Sequence, residues 1–307
     1  VDMRKALDAK ASGLMIMLCM IWGLQQVVLK LAAVDIAPIM QIAIRCGLSA
    51  LMVYPLIRLP QGVGLFSKDY LLAGMWLAFL FSAEFFLVAE ALRFTSASHT
   101  VVLLYTAPIF VALGLNWKFA SERLSALQWT GIFIAFVGIV VTFMGKDSQT
   151  GQFSKVLLGD AMALLAGIMW ALTTISLRLT KLAEAHPTQT LFYQLMGGFI
   201  LLMPMAFALG QTEIRWTMLT FSSLVFHTLI MSFASLMIWF WLLRNYLANH
   251  LGVFSFLTPL FGIAFGIIFL DEKLEVNFMI GTALVMLGIL VVSLQGWIQR
   301  KVLHISE

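Results

Sequence analysis

Two carboxylates stand in the run Phe81-Ser82-Ala83-Glu84-Phe85-Phe86-Leu87-Val88-Ala89-Glu90. A charge at the centre of a bilayer costs at least ~2.5–3.5 kcal/mol on insertion scales, so Glu84 needs a partner or a wet cavity. The chemistry open to such a carboxyl is to load and release a proton, or to hold a cation. The alternative is an internal ion pair with Arg45 or Arg93. Glu84 and Glu90 lie six residues apart, about 240° around a helix, so they do not share a face. Arg45 stands early in the preceding apolar run. It is expected to be structural, paired with a carboxylate or with helix-end carbonyls; binding of a substrate carboxylate is the sharper alternative.

Polar groups also recur beside two tryptophans. Gln25 and Gln26 follow Trp22, and Thr173 and Thr174 follow Trp170. Residues three or four apart share a helix face, so Trp22 lies beside both glutamines. These six side chains are candidates for the lining of a polar cavity. The plainer alternative is interhelical hydrogen bonding, worth ~0.6 kcal/mol per contact in lipid. Tyr105 and Phe256 each precede a proline by three residues, Pro108 and Pro259, and are further lining candidates. Each proline removes one helical hydrogen bond and is expected to bend its helix, a structural role. His99 and His250 invite a metal or proton-relay reading, but their matched positions favour packing or capping, so no metal site is expected. Cys19 and Cys46 match neither a ligand spacing nor a disulfide framework. Glu122 and Glu272 precede short connections and are expected at the interface, capping a helix or pairing with a cation.

The elements that must position these groups are ten apolar runs: Gly13–Leu29, Pro38–Ile57, Tyr70–Ala91, Ala97–Trp117, Leu127–Met144, Val156–Leu177, Thr190–Leu209, Phe221–Leu243, Leu251–Leu270 and Val276–Leu294. A helix rises ~1.5 Å per residue, so ~20 residues cross a ~30 Å hydrocarbon core. Unpaired amides are not tolerated in lipid, so these runs are expected to be transmembrane helices. The chain is 61% apolar and 11% charged, against roughly 45–50% and about 25% in soluble domains. A lipid bilayer is therefore its medium. The run after Met3-Arg4-Lys5 continues through Trp22 with no small-residue cleavage site, and reads as the first span rather than a signal peptide. With the amino terminus in the cytoplasm, 12 of the 19 Lys and Arg fall on the cytoplasmic side and 6 outside. That bias predicts a multi-pass protein of the cytoplasmic (inner) membrane with both termini in the cytoplasm. The net charge of +4 is spread over loops, which does not point to a nucleic-acid partner.

The second half repeats the first. Trp22 matches Trp170 and Lys30 matches Arg178 at an offset of 148; Pro38 matches Pro187 at 149. Leu92-Arg93 matches Leu243-Arg244, and Ala97, His99 and Pro108 match Ala248, His250 and Pro259, all at 151. Glu122, Gly131 and Gly138 match Glu272, Gly281 and Gly288 at 150. Five spans per half is an odd number, so the halves, 11–145 and 156–297, enter the membrane from opposite sides. Inverted repeats typically build a site near the midplane and expose it to each side in turn. The predicted fold class is an all-α membrane protein of ten transmembrane helices in two inverted five-helix repeats. A central cavity bounded by the first, third, fourth, sixth, eighth and ninth spans is expected. The fifth and tenth spans, with glycines at small-residue spacing, should pack at the periphery or at a dimer contact.

The stretch Ala91-Leu92-Arg93-Phe94-Thr95-Ser96-Ala97-Ser98, then Pro108-Ile109-Phe110, Glu122-Arg123-Leu124, Gln128, Gly131 and Gly138, resembles the EamA-type signature of the drug/metabolite transporter superfamily. Trp22-Gly23, Lys30 and Arg45 also fit it. The second copy departs from it: Ala171 replaces Gly23, Gln194 replaces Arg45 and Asn245-Tyr246 replaces Phe94-Thr95. The resemblance implies ten helices, a central cavity and export of small metabolites or drugs, with amino-acid exporters as the closest-sounding members. The function expected is an alternating-access exporter of small organic metabolites, with a proton-coupled multidrug or organic-cation efflux transporter as the alternative. The partners expected are a small-molecule substrate and, for coupling through Glu84, protons, in a monomer or homodimer. No His-Glu-x-x-His, phosphate-binding glycine loop or serine elbow marks an enzyme, and no cofactor is called for.

Overall fold

The computed structural model describes residues 8–120, 123–144, 152–246, 254–255 and 257–303. Among them, nine helices are long and apolar enough to cross a membrane, and Leu257–Leu270 is a shorter apolar helix. In chain order the spans are α1 (Ala9–Leu31), α2 (Pro38–Val53), α3 (Lys68–Phe94), α4 with α5 (Ala97–Leu104, Ala107–Lys118), α6 (Ala126–Phe143), α7 (Gln152–Leu179), α8 (Pro187–Ala208), α9 with α10 (Met218–Val225, Ser235–Asn245), α11 (Leu257–Leu270) and α12 (Val276–Leu303). Large apolar side chains such as Phe133, Val140, Leu201 and Ile268 are exposed on the outside of the bundle, where hydrocarbon would cover them. His250, Phe256 and Glu122 lie outside the described residues.

Local chemistry sets the helix ends. The matched Pro38 and Pro187 open α2 and α8, where a missing N–H costs nothing. Ser125 and Gln128 form a reciprocal capping box at the start of α6, satisfying two donors the helix leaves open. The fourth span does more than bend before Pro108. It breaks at Tyr105–Thr106, and α5 restarts at Ala107. Pro259 likewise sits in the first turn of α11.

The eighth span holds a nine-residue π-helix, Phe226–Ala234, between α9 and α10. Its cause is legible in the repeat. The N-caps Ser67 and Thr217 are 150 apart, whereas the C-caps Thr95 and Tyr246 are 151 apart. The eighth span therefore carries one residue more than the third, and a π segment is how a helix absorbs a single insertion.

Part of the packing follows a twofold rule, although α3 packs along α7 far more extensively than the equivalent eighth span packs along α1. Equivalent helices meet each other, α2 with α8 and α6 with α12, while α1 crosses α11 as α7 crosses α4. The α6–α12 seam is reciprocal. A Cβ on Gly138 would stand 2.7 Å from the Gly281 carbonyl oxygen, and one on Gly131 would stand 2.9 Å from that of Gly288. The glycine faces of α6 and α12 thus meet each other within the chain, because only hydrogen fits between backbones this close, while their outer faces, with Phe133, Val140, Met279 and Leu287, are exposed. The same need explains Gly23, whose Cβ would lie 2.8 Å from Thr258 O where α1 crosses α11.

Candidate functional site

The buried polar groups gather where α1, α2, α3 and the π segment meet. Arg45, on α2, is 2% exposed, and its guanidinium lies over the Phe85 ring, 4.7 Å from the centroid. The Gln25 amide, turned with its oxygen toward that cation, accepts from Nη1 at 3.0 Å and Nη2 at 3.2 Å. Arg45 Nε has no hydrogen-bond partner among the described residues. The carboxylate or helix-end carbonyl expected for Arg45 is therefore replaced by a neutral amide and an aromatic face.

Glu84 is 6% exposed, near the middle of α3. It makes no hydrogen bond and no ion pair among the described residues. Arg45 and the Tyr105 phenol both lie within its electrostatic reach. The ion-pair alternative thus separates the two acids. Glu90 is the paired one, accepting from Arg93 Nη1 at 2.7 Å and from Gln211 Nε2 at 2.9 Å. Gln26, beside Gln25, is 2% exposed, and its Oε1 has no hydrogen-bond partner among the described residues. Thr258, fully buried at the start of α11, places its hydroxyl beside the Tyr105 phenol and the Cys19 thiol.

The tryptophans differ in their neighbours. Trp170 on α7 meets Tyr105 edge-on, centroids 5.0 Å apart, at the break in the fourth span. Trp22 on α1 donates from Nε1 to Ser235 Oγ at 3.2 Å and meets Trp239 edge-on at 5.7 Å. Ser235 is the repeat counterpart of Glu84. Thr173 and Thr174 donate back to the carbonyls of Met169 and Trp170, at 3.0 and 3.1 Å. Their protons are spent within α7, so only their oxygen lone pairs are open to a ligand.

Several polar residues beyond those singled out from the sequence stand here or nearby. His227, fully buried in the π segment, directs Nδ1 to Ser223 O at 2.8 Å and Nε2 toward Gln25 O at 3.4 Å. Gln41 donates to Leu29 O and Ile36 O and accepts from Ser223 Oγ at 2.7 Å. Thr228 has a buried hydroxyl with no hydrogen-bond partner among the described residues. The intramembrane cost that points to Glu84 applies equally to His227 and Asp160, so the signal for both was present in the chain.

His99 pairs with Asp160 at 3.0 Å and stacks on Phe278, 4.0 Å between centroids. No group of three metal-ligating side chains occurs among the described residues. Glu272 accepts from Ala97 N at 2.7 Å and Ser98 N at 3.1 Å, capping α4 from across the repeat boundary.

Two inverted sets of apolar helices around buried, unsatisfied polar groups define a polytopic membrane protein of the transporter class. The chain belongs to the EamA-like transporter family, whose model matches residues 9–144 and again 157–294. The uncharacterized transporter YoaV of Bacillus subtilis is 23% identical over 88% of this chain and 92% of its own length. An Escherichia coli protein named "Probable amino-acid metabolite efflux pump" is 26% identical, covering 98% of this chain and all of its own. One crystal structure superposes with a TM-score of 0.62 at 15% identity, over 94% of this chain and 98% of that one, a likeness of fold.

Proposed function

We propose that the protein is an alternating-access exporter of small organic metabolites, amino acids among them, in the cytoplasmic membrane with both termini inside. One observation carries the reading. Arg45 Nε and Gln26 Oε1 are buried without a hydrogen-bond partner among the described residues, and the buried Glu84 lies within the electrostatic reach of Arg45, in a chain whose two halves repeat. A buried polar atom without a bond costs ~1–3 kcal/mol. Several kept together are accounted for when a ligand completes them during part of a cycle.

Each group has a chemical role in that reading. Arg45 presents a planar, permanently charged donor edge suited to a carboxylate. Glu84 accepts from an ammonium group or takes a proton. Tyr105 and Trp170 offer an aromatic corner for the apolar remainder, with Trp22, Gln25, Gln26, Thr173 and Thr174 on the two equivalent helices beside it. Helices from both halves, 11–145 and 156–297, take part in the motion that exposes the site to each side in turn. The printed names of the Escherichia coli and Salmonella typhimurium relatives support the substrate class, and the Lys and Arg distribution supports the orientation.

A second reading, proton-coupled efflux of organic cations, is favoured by Glu84 itself, an intramembrane acid with no described cation within pairing distance. The energy in either case comes from a gradient. A charge moving through 100 mV gains ~2.3 kcal/mol, about a 50-fold concentration ratio. The test is counterflow in liposomes bearing the purified protein. Preloaded amino acids are expected to drive entry of the labelled solute; absence of counterflow for every amino acid, with counterflow for organic cations, would transfer the case to the second reading.

A further inference from the structure

Each mouth of the bundle carries a bond between halves, and the two bonds are related by the repeat. On the side remote from the amino terminus, Asp160 is fully buried in the early turns of α7. It accepts from Thr95 Oγ1 at 2.5 Å and faces His99 Nδ1 at 3.0 Å. Thr95 is the C-cap of α3, and its carbonyl, like that of Leu92, accepts from Lys30 Nζ. On the amino-terminal side, Asp8 caps α1 through Ala11 N at 2.8 Å and accepts from the Tyr246 hydroxyl at 2.9 Å.

Thr95 and Tyr246 are repeat counterparts, 151 apart, each ending the third span of its half. Asp160 and Asp8 each lie at the start of the first span of the opposite half. The strict counterpart of Asp160 at offset 148 is Ser12, so Asp8 sits one turn earlier. The longer tyrosine side chain covers most of that extra turn of about 5 Å. The same device, a carboxylate of one half bolted to a hydroxyl of the other, therefore spans both mouths. Neither mouth can open between these helix ends without breaking its bolt.

The bolts are unequal. Asp160 is fully buried, with both Thr95 and His99 upon it, whereas Asp8 is exposed. Breaking bonds to a buried carboxylate costs more than breaking them in reach of water. Resting on the transport reading, we propose that Asp160 and Asp8 are the gate acids of the cycle, positioning residues that set which mouth opens, with the Asp160 mouth the more tightly held.

The test reads mouth widths without substrate, by spin-label distances in lipid nanodiscs. One pair, at Arg93 and Lys155, spans the remote mouth; the other, at Lys10 and Asn245, spans the amino-terminal mouth. Cys19 and Cys46 are buried and stay in place. Asp160→Asn and the gentler Thr95→Val should raise the share of long distances at the remote mouth roughly tenfold, as loss of a charge-assisted bond implies. Asp8→Asn and Tyr246→Phe should do so at the amino-terminal mouth alone. Unchanged distances in the Thr95→Val and Tyr246→Phe proteins, or equal broadening of both mouths in all variants, would overturn the proposal. If the mouths respond as expected but no solute crosses liposomes, the gates stand and the transport reading fails.

Discussion

Replacing Gly138 by alanine adds one methyl group at the α6–α12 seam, and the structure fixes what it meets. The new carbon would stand 2.7 Å from both Gly281 O and Val285 N and 2.9 Å from Leu284 Cβ. Two of those neighbours are backbone, so no rotamer change relieves them, and the helices must separate. Overpacking of this kind costs ~1–3 kcal/mol, offset by up to ~1 kcal/mol from the better helix propensity of alanine. The net expectation is a loss of about 1–2 kcal/mol, or a melting temperature lower by roughly 2–6 °C. Gly13→Ala is the matched control. A Cβ there meets nothing within 4 Å, so the propensity gain stands alone and melting should rise slightly. The assay is thermal unfolding of the purified protein, followed by tryptophan fluorescence. A Gly138→Ala protein that melts at or above the parent would refute the seam. A change in oligomeric state without a change in melting would mean that these glycines meet between chains.

Three further outcomes follow from individual contacts. Glu272→Ala removes the acceptor for Ala97 N and Ser98 N and should cost ~1–2 kcal/mol, as loss of a helix cap does; unchanged thermal melting would contradict it. Arg45→Lys keeps the charge but loses the planar edge on Gln25 and the face on Phe85, so solute flux should fall about tenfold or more while folding persists; full flux in liposomes would remove Arg45 from the site. Trp22→Phe keeps a ring against Trp239 but leaves Ser235 without that donor, and should lower stability by ~1 kcal/mol, which a melting curve at or above the parent's would disprove.

The architecture was legible because lipid leaves few choices. Apolar runs of spanning length must be helices, and an odd number per half forces inversion. Short-range chemistry also carried through: Pro38 and Pro187 start helices, and Pro108 lies just past a break. The π segment was hidden, because a one-residue change of offset can fall in a loop or a helix until the cap residues are known. The partner choices were hidden for a related reason. Glu84, Glu90, Arg45 and Arg93 allowed several pairings, and only the approach of α2, α3 and α8 decides that Arg93 and Gln211 take Glu90. Asp160 and His227 obey the same desolvation rule as Glu84, yet their meaning depends on Thr95, His99 and Gln25, brought near from distant parts of the sequence.

The proposed cycle turns on Glu84, buried beyond pairing distance of any described cation and matched in the repeat by the neutral Ser235. Glutamine at position 84 keeps the shape and removes the charge, and with no ion pair to break it should leave melting unchanged within about 1 kcal/mol. The decisive measurement is solute movement against its gradient in liposomes bearing either protein under an imposed pH difference. The parent should accumulate substrate in response to the pH difference, and the Glu84→Gln protein should only equilibrate it. Full pH-driven accumulation by a well-folded Glu84→Gln protein would contradict the role given to that carboxylate.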